Sequence, residues 1–60
     1  MSLPQDDYIL LSYVNTKLRD EYSCLKEFCT AEGAEPLQVV EKLKGIGYFY
    51  DKDANSFKRG

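Results

Sequence analysis

SCLKEFCTAEGAEPLQVVEKLKGIG, residues 23–47, is the stretch on which the fold turns. Leu25, Phe28 and Cys29 stand at i, i+3 and i+4, which puts them on one face of a helix running from Cys24 to about Glu32, with Ser23 placed to cap it. Gly33 then supplies the left-handed residue that helix C-termini favour. Pro36 suits the first turn of the next helix, because its missing amide hydrogen has no partner to lose there. That helix spans about Pro36 to Lys44 and turns Val39, Val40 and Leu43 inward, until Gly45 and Gly47 stop it and Ile46 folds back on the core. Two helices joined by a tight glycine corner make a helix-turn-helix.

Upstream, Met1 to Gln5 is a short lead-in in which Ser2 and Leu3 need not be native. Asp6 is a good N-cap, and Asp7 suits the positive end of a helix dipole, so a first helix is expected from about Asp7 to Glu21. Leu11, Val14, Leu18 and Tyr22 follow i, i+3, i+7, i+11 as its buried stripe, flanked by Tyr8 and Leu10. Ile9 and Tyr13 fall on another side, beside Thr16 and Asp20. A second apolar strip on so small a chain needs cover, from a C-terminal hairpin or from another copy of the chain.

Downstream the period changes to two. Tyr48, Tyr50 and Phe57 share one face of a hairpin if Lys52 to Asn55 form a four-residue turn in which Asn55 tolerates positive φ, and Phe49 then points the other way. Such a hairpin is marginal alone and must pack on the helices. The expected fold is mostly α, of the α+β class: a three-helix, helix-turn-helix-like unit followed by a C-terminal β-hairpin of winged type, in one domain over residues 1–60.

Composition bounds what such a domain does. The chain has 60 residues, 43 % hydrophobic, and a net charge of −2. A chain this short buries only about 60 % of the surface its unfolded form exposes, so it would gain from dimerising. Residues 1–35 carry three basic and seven acidic side chains, a net of −4, whereas residues 36–60 carry five basic and three acidic, a net of +2. Any polyanion would meet the C-terminal half. The chain shows no apolar run of membrane-spanning length and no signal-peptide pattern, so the expected location is cytoplasmic, with no membrane partner.

Catalysis finds no support in the residues. There is no histidine to act as a base near neutral pH, no glycine-rich phosphate cradle, and no serine or cysteine in a nucleophile's setting. Cys24 and Cys29 are five apart, about 140° around a helix, so they are read as unpaired small core or boundary residues. Two cysteines without histidine do not complete a zinc set. Asp51 and Asp53 match a calcium loop at only two positions and read as turn acids. No enzyme activity, cofactor, metal or small-molecule substrate is expected.

Two binding readings remain. The spacing Cys29, Gly33, Val39 resembles the pattern of DNA-binding helix-turn-helix proteins, whose second helix meets base edges through its exposed N-terminal side chains. Gln38 has the chemistry to pair with adenine, and Lys42, Lys52, Lys58 and Arg59 to contact phosphate. Glu35 and Glu41 stand beside them, however, and three dispersed cations on the hairpin are a sparse footprint for a polyanion. The other reading is a protein interface on helix one.

Helix one also carries a resemblance. Its run Leu11-Ser-Tyr-Val-Asn-Thr-Lys-Leu-Arg-Asp20, with the later Ile46, Gly47, Tyr48 and Tyr50-Asp51, resembles a family of bacterial proteins about as long as this one, classed as a domain of unknown function. The hallmark is N-x-K-L-R-D, matched from Asn15 to Asp20; Cys24 and Cys29 depart from it. The resemblance implies a bacterial, cytoplasmic setting and no assigned activity. Within the motif, Asn15 and Arg19 are i, i+4 neighbours, read as a structural polar pair in which Arg19 ties helix one to the next helices and Asp20 orients the following turn. The interface candidates are Ile9, Tyr13, Thr16, Lys17 and Asp20, an apolar and aromatic anchor with a polar rim. The expectation is therefore a non-enzymatic module that binds a protein or self-associates as a homodimer through helix one, with a DNA-binding winged helix-turn-helix regulator as the alternative.

Overall fold

The computed structural model describes residues 3–60; the expectation that Ser2 need not be native lies outside them. Three helices are followed by a hairpin: α1 (Asp7–Asp20), α2 (Leu25–Glu32), α3 (Pro36–Lys44), β1 (Tyr48–Asp51) and β2 (Ser56–Arg59). This is an α+β fold with a two-stranded antiparallel sheet.

Asp6 caps α1 as its chemistry dictates, its Oδ1 accepting from the Tyr8 and Ile9 amides at 2.9 and 3.1 Å. The helix stops one residue earlier than expected, at Asp20. Its buried stripe is also rotated: Leu10, Val14 and Leu18 are buried, while Leu11 and Tyr22 are only partly so. Leu10 and Leu11 are adjacent apolar residues about 100° apart on the helix. The hairpin decides between them, since Leu11 borders the groove that the hairpin makes with α1, and Leu10 turns toward α3.

α2 begins at Leu25 with Cys24 as its N-cap, so Ser23 does not hold the capping position expected for it. The Ser23 amide and hydroxyl instead donate to Glu27, and the Leu25 amide donates to the Tyr50 hydroxyl at 3.2 Å. A residue from the hairpin thus serves the start of α2. The corner after α2 follows the expectation: Gly33 has φ 70°, and the Ala34 amide reaches back to the Cys29 carbonyl at 2.8 Å. Pro36 opens α3, which buries Val39 and Leu43; Val40 is only partly covered. Cys29 lies in the core and Cys24 is exposed, not a core or boundary residue, because the α2 stripe passes through Leu25 instead.

The strands pair with Tyr48 opposite Arg59, Phe49 opposite Lys58, Tyr50 opposite Phe57 and Asp51 opposite Ser56. Lys52 to Asn55 form the turn, with Asn55 at φ 51° and Asp51 Oδ1 accepting from the Asp53 and Ala54 amides. Phe57 is the strand residue that enters the core, closing over Phe28, Leu10, Val14 and Leu43.

Candidate functional site

The two long sides of α1 do different work. On one, Asn15 is half-buried and faces β2, its Oδ1 accepting from the Phe57 amide at 2.8 Å and its Nδ2 donating to the Phe57 carbonyl at 3.2 Å. A carboxamide has the same donor and acceptor pair as a peptide unit. Asn15 therefore bonds the outer edge of β2 as a neighbouring strand would. At the end of the same helix and just past it, Asn55 Nδ2 donates to the Leu18 and Tyr22 carbonyls at 3.0 and 2.9 Å, and its Oδ1 accepts from the Tyr50 hydroxyl at 2.8 Å. That hydroxyl is the acceptor for Leu25, so one chain of hydrogen bonds links the turn, the end of α1 and the start of α2. Asn55 and Tyr50 carry no mark of this in the sequence beyond a turn preference and a strand period.

The other side holds the interface candidates. Ile9 is 58 % exposed, and Thr16 and Asp20 are exposed along the same face. Tyr13 is not open in the same way: its ring packs edge-on against Phe28 with centroids 6.1 Å apart, and its hydroxyl donates to Glu32 at 3.1 Å. The cover expected from the hairpin or a second copy thus comes from α2, and for Tyr13 alone. Burial raises the Tyr13 phenol above its usual value, and the hydrogen bond and charge of Glu32 add to this. Lys17 lies 5.7 Å from the Tyr13 ring centroid and 2.6 Å from Glu21, whose hydrogen bond raises its pKa.

Arg19 does not tie α1 to the other helices. It lies about 140° around the helix from Val14, exposed, and forks onto its neighbour Asp20 at 2.9 and 3.0 Å. The hydrogen bond from Arg19 lowers the Asp20 pKa, so this carboxylate holds the guanidinium rather than orienting the turn.

The nucleic-acid candidates are spread over α3 and the hairpin. Lys42 is drawn to the chain's own N-terminal segment, 2.9 Å from Asp7 and 3.2 Å from the Gln5 carbonyl. Lys58 stands 3.9 Å from Asp51. Gln38, Lys52 and Arg59 are exposed, and the latter two form no salt bridge among the described residues. Burial, with Glu35 adding to it, pushes the Cys29 thiol up, the opposite of what a reactive cysteine needs. Among the described residues, no group of histidine, cysteine, aspartate and glutamate is gathered around a metal-sized site.

A family model described as a domain of unknown function (DUF4250) matches residues 4–57. The chain belongs to this family. The match takes in all three helices and reaches Phe57, so the family unit includes both Asn15 and the strand residue it binds. No curated protein and no solved structure matches the chain. Among the described residues, no helix is long and apolar enough to cross a membrane.

Proposed function

We propose that the protein is a non-enzymatic interaction module that docks a partner protein through the face of α1 bearing Ile9, Tyr13, Thr16 and Asp20. The observation that carries this reading is Ile9, an isoleucine left 58 % exposed on a helix whose other β-branched aliphatic, Val14, is buried. Beside it, Tyr13 is held by Phe28 and Glu32, and Lys17 by Glu21, so the patch is set before a partner arrives and loses little freedom on binding. Exposed apolar anchor, fixed tyrosine and polar rim are the parts from which protein interfaces are made.

A photoreactive side chain at position 9 tests it: irradiation in cells should trap a protein adduct that the same group at Lys44 does not. Ile9→Asp should then weaken binding of the purified partner at least about tenfold. Identical adducts from both positions, or unchanged affinity in Ile9→Asp, would sink the reading. The DNA alternative is the weaker one, since Lys42 is engaged by Asp7 and Lys58 faces Asp51. A gel shift on random duplex at low salt separates the two, because phosphate-driven binding appears there and falls steeply as salt rises.

A further inference from the structure

Asn15 settles which way each backbone group of the hairpin points. Because the Phe57 amide and carbonyl both turn outward to Asn15, the Tyr50–Phe57 pair is not bridged by ladder hydrogen bonds. Pairing alternates along an antiparallel ladder, and the bond from the Gly60 amide to the Gly47 carbonyl, 3.0 Å, fits the same phase. It follows that the amides and carbonyls of Tyr48 and Tyr50 point away from β2, along the outer edge of β1. Neither residue has a hydrogen bond to another element from its backbone among the described residues. On the β2 edge the outward groups of Phe57 are met by a side chain; on the β1 edge those of Tyr48 and Tyr50 have no hydrogen-bond partner among the described residues.

Open edges are normally blunted by lysine, proline, a bulge or an inward charge. Beyond the shortness of a four-residue strand, the edge sequence Tyr48-Phe49-Tyr50 has none of these, and Phe49 leaves 45 % of its surface exposed on the outer face. The four outward groups are symmetric about Phe49. A two-fold axis through that residue sets Tyr48 of one copy opposite Tyr50 of the other, so that four hydrogen bonds use every outward group at once.

We infer that a second copy of this chain pairs antiparallel with β1 about Phe49, joining two hairpins into one four-stranded sheet. Phe49 then meets its own symmetry mate in the close, non-hydrogen-bonded position, about 4.5 Å between Cα atoms, where aromatic pairs stabilise a sheet. Charge agrees with this register. Asp51 comes opposite Gly47, and Lys58 lies one strand out from Phe49 on either side, so no like charges face each other across the junction. A two-stranded sheet is also below the size that is stable in its own right, and pairing doubles it. The α1 docking face takes no part in this junction.

Sedimentation equilibrium with amide hydrogen exchange decides it. Wild type should dimerise by tens of micromolar, Phe49→Lys should weaken the dimer at least about tenfold by setting two cations at the axis, and Ile9→Asp should leave it unchanged. Exchange at the Tyr48 and Tyr50 amides should slow as concentration rises, whereas Arg59, outward on the other edge, should not respond. A wild type monomeric throughout, a dimer broken by Ile9→Asp and not by Phe49→Lys, or concentration-independent exchange at Tyr48 and Tyr50 would each overturn the pairing. If Phe49→Lys fails to fold, exchange in the wild type alone separates the two outcomes.

Discussion

At the scale of single residues, the most consequential side chain is Asn15. Its amide satisfies a donor and an acceptor on a buried residue 42 positions away, and no other side chain among the described residues does both for one partner. Replacing it with alanine removes two hydrogen bonds and strands two backbone groups near the core, at a cost of roughly 2–3 kcal/mol. That is a large share of the margin of a small domain, about 5 kcal/mol. Urea unfolding of Asn15→Ala should show this loss, together with faster exchange at the Phe57 amide; an unchanged midpoint would refute the role. The sequence marks Asn15 as a motif residue and an i, i+4 neighbour of Arg19, but not what it binds. A contact across 42 residues leaves no periodic trace, and the longer, charged side chain of Arg19 is the more obvious tether. Arg19 is satisfied by the residue next to it, which costs no long-range order.

At the scale of elements, local chemistry is readable wherever one residue type is strongly preferred. Asp6, Gly33, Pro36 and Asn55 each sit where their backbone or capping preference places them, and α3 and the hairpin turn have the bounds expected of them. What local chemistry leaves open is rotation about a helix axis. Leu10 against Leu11, and Val39 against Val40, are neighbouring apolar pairs whose choice is made by what packs over them. Ser23 lacks its capping role for the same kind of reason, since Glu27 and the Tyr50 hydroxyl meet the donors around it. The corner itself can be tested. Gly33 at φ 70° has nothing within 4 Å of an added Cβ, so Gly33→Ala meets no clash and loses only what the left-handed backbone costs, about 1 kcal/mol. A loss of several kcal/mol, read from thermal unfolding, would mean that the corner is packed and not merely turned.

At the scale of the whole molecule, three shifted groups act on stability in one direction. The Cys29 thiol, the Tyr13 phenol and the Lys17 ammonium have ordinary values of 9.0, 10.0 and 10.5, and the fold raises all three. A group whose pKa is raised on folding lends stability that is fully present below its ordinary value and is lost as pH rises through the folded one. The protein should therefore hold its melting temperature to about pH 8 and lose it progressively through the alkaline range that these values span. Tyr13→Phe should flatten the upper part of that fall, and an unaltered slope would show that the phenol is not involved. The surface follows the sequence less closely than the core does. The strip of Ile9 and Tyr13 is legible from its spacing, yet α2 takes the tyrosine and leaves the isoleucine.

The carboxamide that stands in for a strand beside β2 also bears on how the chain comes together. A hairpin of this length does not persist alone, and its edge residue finds its partner only on a helix that is already wound. The first helix and the last strand are therefore expected to open and close together, despite lying at opposite ends of the sequence. Because side chains alternate faces along a strand, adding or deleting one residue in the Lys52 to Asn55 turn while the loop keeps its four-residue form would present Asn15 with Ser56 or Lys58 and turn Phe57 out of the core. The length of that turn is thus held from two places, by Asn15 on the far side of the chain and by the bonds of Asn55 within the turn.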